Sequence, residues 1–284
     1  MTRINRYAQT QGLTLLEQTV STVGPIFTVA QARQPAEDLG LGDSQLRWTL
    51  SQLARSGWIA RIKRGVYAVQ SPLLGAELHP FAIAAALVEP LAISHWSALA
   101  HHGLITQIPP MVQASTPRTV VTPEMRDGLA HRPRGRAVWQ ALGLEFEFIR
   151  VKQAHFFGFQ RVWVSRWHRV AITDLERTAL DMVAHPRVFG DLGAVIETIE
   201  AHLERLNLEN LVEYALRYDV GAVVKRLGWI LEALDAPAAV IEPLRAYPVS
   251  SYYLLDPTRP PDGPPLARWK IRDNLGREND DADC

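Results

Sequence analysis

Between Leu13 and Val69 the spacing of apolar residues switches from helical to alternating, and this switch restricts the fold more than any other feature of the chain. Leu13, Leu16 and Val20 recur at helical spacing until Gly24-Pro25 interrupts them. Thr28 is placed to cap a second helix that contains Val29, Ala32 and Ala36 and ends near Leu39-Gly40. A third helix, capped by Asp43 or Ser44, would bury Leu46, Leu50 and Leu53 and stop at Ser56-Gly57. From Trp58 the period is two. The segments Trp58–Ile62 and Val66–Val69 flank a Lys63-Arg64-Gly65 turn, the pattern of a β-hairpin. Three helices followed by a hairpin is the order of a winged helix-turn-helix, expected here over residues 1–72.

The polar face of the third helix suits DNA. Ser44, Trp48, Ser51 and Arg55 fall at i, i+4, i+7 and i+11, opposite the leucines, with Gln45, Arg47 and Gln52 beside them. In a major groove Gln can read adenine, Arg can read guanine, and Ser can contact base or phosphate. Arg61, Lys63 and Arg64 stand where a wing would follow phosphates. The whole chain is neutral, with 30 basic and 30 acidic residues, which excludes a uniformly basic nucleic-acid binder. Residues 1–75 nevertheless carry eight basic groups against four acidic ones, a local charge of +4. Arginine dominates the basic residues and suits bidentate phosphate and guanine contacts, though a codon bias toward arginine accounts for it equally well.

Residues 70–78 read as a linker to a larger mixed α+β region over 77–274, with a flexible tail at 275–284. Phe81–Leu87 and Ile93–His102 have helical character, whereas Leu144–Val151, Phe156–Val164 and His168–Ile172 are β-like. A loop-like stretch from Arg118 to Arg136 contains Arg118, Arg126, Arg132, Arg134 and Arg136 against only Glu124 and Asp127. Thr173–Asp235 reads as three or four helices broken near His185-Pro186, Asn207 and Asp219–Gly221, and strands are expected at Ser250–Leu255 and Ala267–Arg272. With 284 residues, 47% of them hydrophobic, the chain can build a sizeable core. Glu89 and Pro90 cut the longest apolar run, so no spanning helix is expected, and without a leader pattern the expected location is the cytoplasm. The single cysteine, Cys284, excludes an internal disulfide and thiolate-clustered metal sites.

Few residues outside the first domain suggest chemistry. His95, His101 and His102 share a predicted helix but lack an accompanying carboxylate. Asp174, Glu176 and Asp181 could form a metal-dependent nuclease site. They equally fit a Thr173-x-x-Glu176 capping box and an Arg177–Asp181 ion pair. Phosphate-loop and nucleophile-elbow motifs are absent, so no catalytic residue, metal or cofactor is expected. A second candidate surface for DNA or a partner comprises Arg268, Lys270 and Arg272, alternating with inward Ala267, Trp269 and Ile271. Arg217, Lys225 and Arg226 join it as residues outside the apolar stripe Val223, Leu227, Ile230, Leu231 and Leu234.

Five segments together resemble the AbiEi antitoxins of abortive-infection (type IV) toxin–antitoxin systems. They are Leu53–Tyr67 (LARSGWIARIKRGVY), His95–Leu99 (HWSAL), Asp174–Asp181 (DLERTALD), Lys225–Gly228 (KRLG) and Leu255–Pro257 (LDP), in a resemblance running from about Leu13 to Asn274. The resemblance implies a winged-helix domain that represses its own promoter through inverted repeats in double-stranded DNA. It also implies a C-terminal domain that counteracts a nucleotidyltransferase-like toxin without a stable complex. It transfers no catalytic set. A plain winged-helix regulator, a metal-dependent nuclease and a pure interaction module are the competing readings.

Overall fold

A computed structural model describes residues 3–70, 78–129 and 135–276. The chain divides into two compact units, one formed by Met1–Ile93, Pro110–Arg150 and Arg161–Ile172, the other by Ser94–Pro109, Val151–Gln160 and Thr173–Cys284. This division differs from the one expected near residue 72, because the first unit includes strands that come much later in the chain. Most of the expected linker, residues 71–77, and the tail beyond residue 276 lie outside the described residues.

The first unit begins with α1 (Arg3–Val23), β1 (Ile26–Thr28), α2 (Arg33–Asp38), α3 (Asp43–Arg55), β2 (Ile59–Lys63) and β3 (Val66–Val69). The strands form an antiparallel sheet in the order β1-β3-β2. Leu15, Leu16, Phe27, Leu46, Leu50 and Ile59 fill its core, each at most 1% exposed, so the helical and alternating stripes meet as the sequence pattern required. Strand β1 is unpredicted, since three residues are too few to show a period. The second helix starts at Arg33 instead of Thr28. Thr28 and Gln31 exchange hydrogen bonds, Thr28 N donating to Gln31 Oε1 (2.8 Å) and Gln31 N to Thr28 Oγ1 (3.1 Å), which closes a separate turn. Gly24 ends α1 at φ +93°, and a Cβ there would stand 2.7 Å from Cβ of Trp167, so both backbone angle and contact demand glycine.

The rest of this unit is built on a six-stranded mixed sheet, approached through α4 (Pro80–Leu87). Its strands are β4 (Ala92–Ile93), β5 (Val112–Thr116), β6 (Arg136–Ala141), β7 (Leu144–Arg150), β8 (Phe159–Trp163) and β9 (Arg169–Thr173), ordered β6-β7-β5-β4-β9-β8. α5 (His95–His101) follows β4 and belongs to the second unit, and α6 (Pro123–Arg126) interrupts the expected Arg118–Arg136 loop. Central strand β5 is buried at all five positions, so it shows no alternation and escapes a periodicity reading.

The second unit is mainly helical: α7 (Leu175–Ala184), α8 (Leu192–Ala201), α9 (Leu208–Tyr218), α10 (Gly221–Ala233) and α11 (Ala238–Ala246). The expected breaks at His185, Asn207 and Asp219 are real, while α11 extends the helical region past its expected end at Asp235. Leu180, Leu192, Leu211, Leu227 and Ile230 share one core with Trp269. A small sheet ordered β10-β12-β11 closes the chain, with β10 (Tyr253–Leu254), β11 (Pro265–Leu266) and β12 (Ile271–Arg272). The expected strand from Ala267 is a correction: residues 267–270 form the turn between β11 and β12, with Lys270 at φ +52°.

Candidate nucleic-acid interface

Helix α3 is held at both ends by local chemistry. Its N-cap is Gly42, whose N–H donates to Gln45 Oε1 at 2.9 Å, so Gln45 caps the helix instead of projecting freely as expected of a base reader. At the other end Trp58 N donates to Leu53 O (3.0 Å) and Gly57 N to Ala54 O (3.2 Å), a Schellman motif with Gly57 at φ +78°. These caps fix the helix while Leu46, Leu50 and Leu53 anchor it to the core. The opposite face presents Ser44, Arg47, Trp48 and Arg55 to solvent, with Ser51 and Gln52 half-buried beside them. Trp48 keeps 53% of its surface exposed.

The wing is β2, the Arg64-Gly65 turn and β3. A bulge between Arg61 and Lys63 shifts the register. Arg61 and Arg64 are exposed. Lys63 corrects the expectation of three wing cations: its Nζ donates to Leu87 O at 3.1 Å, and burial lowers its pKa despite the opposing field of Glu89. From Ser44 to Ala76 the sequence holds no carboxylate, so Arg47, Arg55, Arg61 and Arg64 give the helix and wing a locally positive charge. Asp43, at the start of α3, is engaged by Arg33 at 3.3 Å.

Comparison with known proteins falls on these same residues. Residues 15–70 match the family model described as "Transcriptional regulator, AbiEi antitoxin". The match spans the winged helix, 56 of the 284 residues. A solved structure, the RV2827C protein from Mycobacterium tuberculosis, is similar in fold over 94% of this chain and 92% of that one, with a TM-score of 0.63 at 15% sequence identity. No curated protein matches the sequence. Among the described residues, no helix is long and apolar enough to cross a membrane.

Beyond the winged helix, the expected second surface is divided. Arg268, Lys270 and Arg272 are exposed, but each has a local contact: Arg268 pairs with Glu232 (2.6 Å), Lys270 lies over the Tyr252 ring (5.1 Å), and Arg272 donates to Gly263 O (3.0 Å). Exposed Arg217 stacks its guanidinium over Phe157 at 4.1 Å. Lys225 and Arg226 are corrections, being 2% and 4% exposed. Lys225 Nζ donates to Leu244 O (3.1 Å) and Arg245 O (2.7 Å) at the C-terminal end of α11. Arg226 donates to Leu255 O (2.6 Å), Val183 O (2.9 Å) and Leu254 O (3.3 Å), and burial draws its pKa down to about 10. Both residues hold chain segments together.

The nuclease residues also have separate structural duties. Asp174 caps α7 by accepting from Arg177 N (2.8 Å) and receives the Tyr214 hydroxyl (2.7 Å), so the cap is Asp174 rather than Thr173. Glu176 accepts from Asn207 N at 2.9 Å. Asp181 forms the expected ion pair with Arg177, 2.9 Å apart and buried on both sides. No group of three metal-binding side chains forms among the described residues. His95 is buried against Phe189, and His102 Nε2 lies 2.7 Å from Thr173 O, so these histidines pack. One grouping went unread in the sequence: Arg118, Arg136 and Arg150 line a single cleft, although the arginine excess between 118 and 136 was its signal.

Proposed function

We propose that this chain is a DNA-binding repressor of its own operon and an antitoxin. In this reading α3 enters the major groove of promoter inverted repeats, with Arg47 and Arg55 toward bases or phosphates and Trp48 against thymine methyls or sugar. Arg61 and Arg64 hold the flanking backbone. The observation that carries the reading is the exposed Arg47–Trp48–Arg55 face, followed by an arginine-tipped wing, on a segment with no carboxylate from Ser44 to Ala76. The match of residues 15–70 to an antitoxin regulator family supports it.

Residues 1–72 would supply DNA binding. Residues 77–274 would counteract a nucleotidyltransferase-like toxin without forming a stable complex, and neither activity would need a cofactor, a metal or a catalytic residue. The test titrates the full chain against its own upstream DNA and a scrambled duplex at several salt concentrations. Own-promoter binding about 10³-fold or more tighter is expected, with Arg47→Ala narrowing that ratio and Arg64→Ala weakening both duplexes alike. Equal affinity of the unaltered chain for the two duplexes overturns the repressor reading. For the antitoxin half, the full chain carrying both substitutions should still restore growth when co-expressed with a nucleotidyltransferase encoded beside it. Failure of the unaltered chain to do so removes that half.

A further inference from the structure

We propose that the cleft lined by Arg118, Arg136 and Arg150 binds the phosphate of a small phosphomonoester. Strands β5 and β7 run parallel with Thr116 opposite Arg150, so both chains leave the sheet at one edge. The carboxyl ends of parallel strands are where open mixed sheets place ligands. Arg118 lies two residues past β5 and Arg150 ends β7, while β6 brings Arg136 in beside Ile149.

The backbone around the cleft is pinned. Thr116 Oγ1 donates to Pro90 O (2.6 Å) and accepts from Arg118 N (3.2 Å), and Arg150 N donates to Gly135 O (2.7 Å). Arg136 is neutralised by Glu147, which lies outside the cleft lining: Glu147 Oε1 accepts from Arg136 at 3.0 Å while its Oε2 accepts from Gln113 at 2.7 Å. Arg118 and Arg150 are exposed and carry no ion pair among the described residues. Glu124 and Asp127, the carboxylates of the intervening segment, do not line the cleft.

Arg118 and Arg150, with no carboxylate in the cleft lining, bring a charge of about +2, which matches a phosphomonoester at neutral pH, roughly −1.5 to −2. Gathering such cations without an anion costs repulsion, and planar guanidiniums suit bidentate phosphate contact. The cavity is about 150 Å³. That is below the ~300 Å³ at which pockets enclose a whole organic ligand, so it takes a headgroup. Val120, Met125 and Phe148 form its apolar wall. A recess with such a wall favours an organic phosphate over a backbone phosphate of duplex DNA, which protruding side chains such as those of the wing reach. This site is independent of the repressor reading.

The test is isothermal titration of the full chain with phenyl phosphate and with inorganic phosphate, in chloride of matched ionic strength. One saturable site is expected, with phenyl phosphate binding at least as tightly as inorganic phosphate. The R118Q/R150Q variant should weaken both at least tenfold with an unchanged thermal melt. The R118K/R150K variant, which keeps charge but loses the planar fork, should weaken binding severalfold and decides the matter if the glutamine variant does not fold. Absence of saturable binding, or binding undiminished in the folded variants, overturns the proposal. So does a duplex result: if the unaltered chain ignores phenyl phosphate while R118Q/R150Q lowers its salt slope on random DNA by about two, these arginines contact DNA backbone instead.

Discussion

Two arginine-bearing helices of this protein use the same side chain in opposite ways. On α3, Arg47 and Arg55 stand in solvent beside an exposed tryptophan. On α10, Arg226 and its neighbour Lys225 are buried and spend their donors on carbonyls from Val183, Leu244, Arg245, Leu254 and Leu255. A charged helix face therefore says nothing about partners until its neighbours are known. Where carbonyls of other segments converge on it, a cation joins the core; where the only neighbours are water and like charges, it stays available to an anion.

Removing a staple should produce the largest effect. Arg226→Met leaves three carbonyls unpaired and leaves fully buried Asp256 with Arg259 (3.5 Å) as its remaining cation, so a loss of about 3–5 kcal/mol is expected in urea unfolding. A loss below about 1 kcal/mol would erase the contrast between the helices. Next in size is Gly228→Ala on the same helix. Its Cβ would stand 2.1 Å from the Trp269 ring, and overpacking of this kind costs about 1–3 kcal/mol. A thermal melt indistinguishable from that of the unaltered chain would show that Trp269 can move aside.

On α3 the expected stability effects shrink. Gln45→Ala loses the bond from Gly42 N and should cost about 0.3–1.5 kcal/mol. Because the amide is used as a cap, base preference should survive. A competition assay over operator variants that finds relaxed specificity at one base pair would return Gln45 to the role of base reader. Arg64→Ala should alter stability least, within about 0.5 kcal/mol, and lower the salt slope of DNA binding by about one. A slope identical to that of the unaltered chain would detach the wing from the interface.

How much was legible follows element by element. α3 was readable to its last turn because its leucine stripe, the Ser56-Gly57 stop and the following alternation are local and agree with one another. The Arg177–Asp181 pair was equally local, being one helical turn apart. Lys63 was misread because its partner, the Leu87 carbonyl, is 24 residues away. Strand β5 was missed because complete burial removes alternation. The Ala267–Arg272 alternation matched the burial of Trp269 and Ile271, yet four of those six residues are turn: a period of two over so few residues does not separate strand from hairpin.

The amino-acid sequence by itself determined the winged helix and its basic, carboxylate-free face, since helix stripe, caps, hairpin turn and charge all act within a few residues along the chain. Tertiary structure alone decided which cations remain free. It turned Lys63, Lys225 and Arg226 onto distant carbonyls, and it brought Arg118, Arg136 and Arg150 from three places in the chain to one sheet edge. The physical reason is that burying a charge requires partners, and partners for these groups come from segments whose proximity no local pattern encodes.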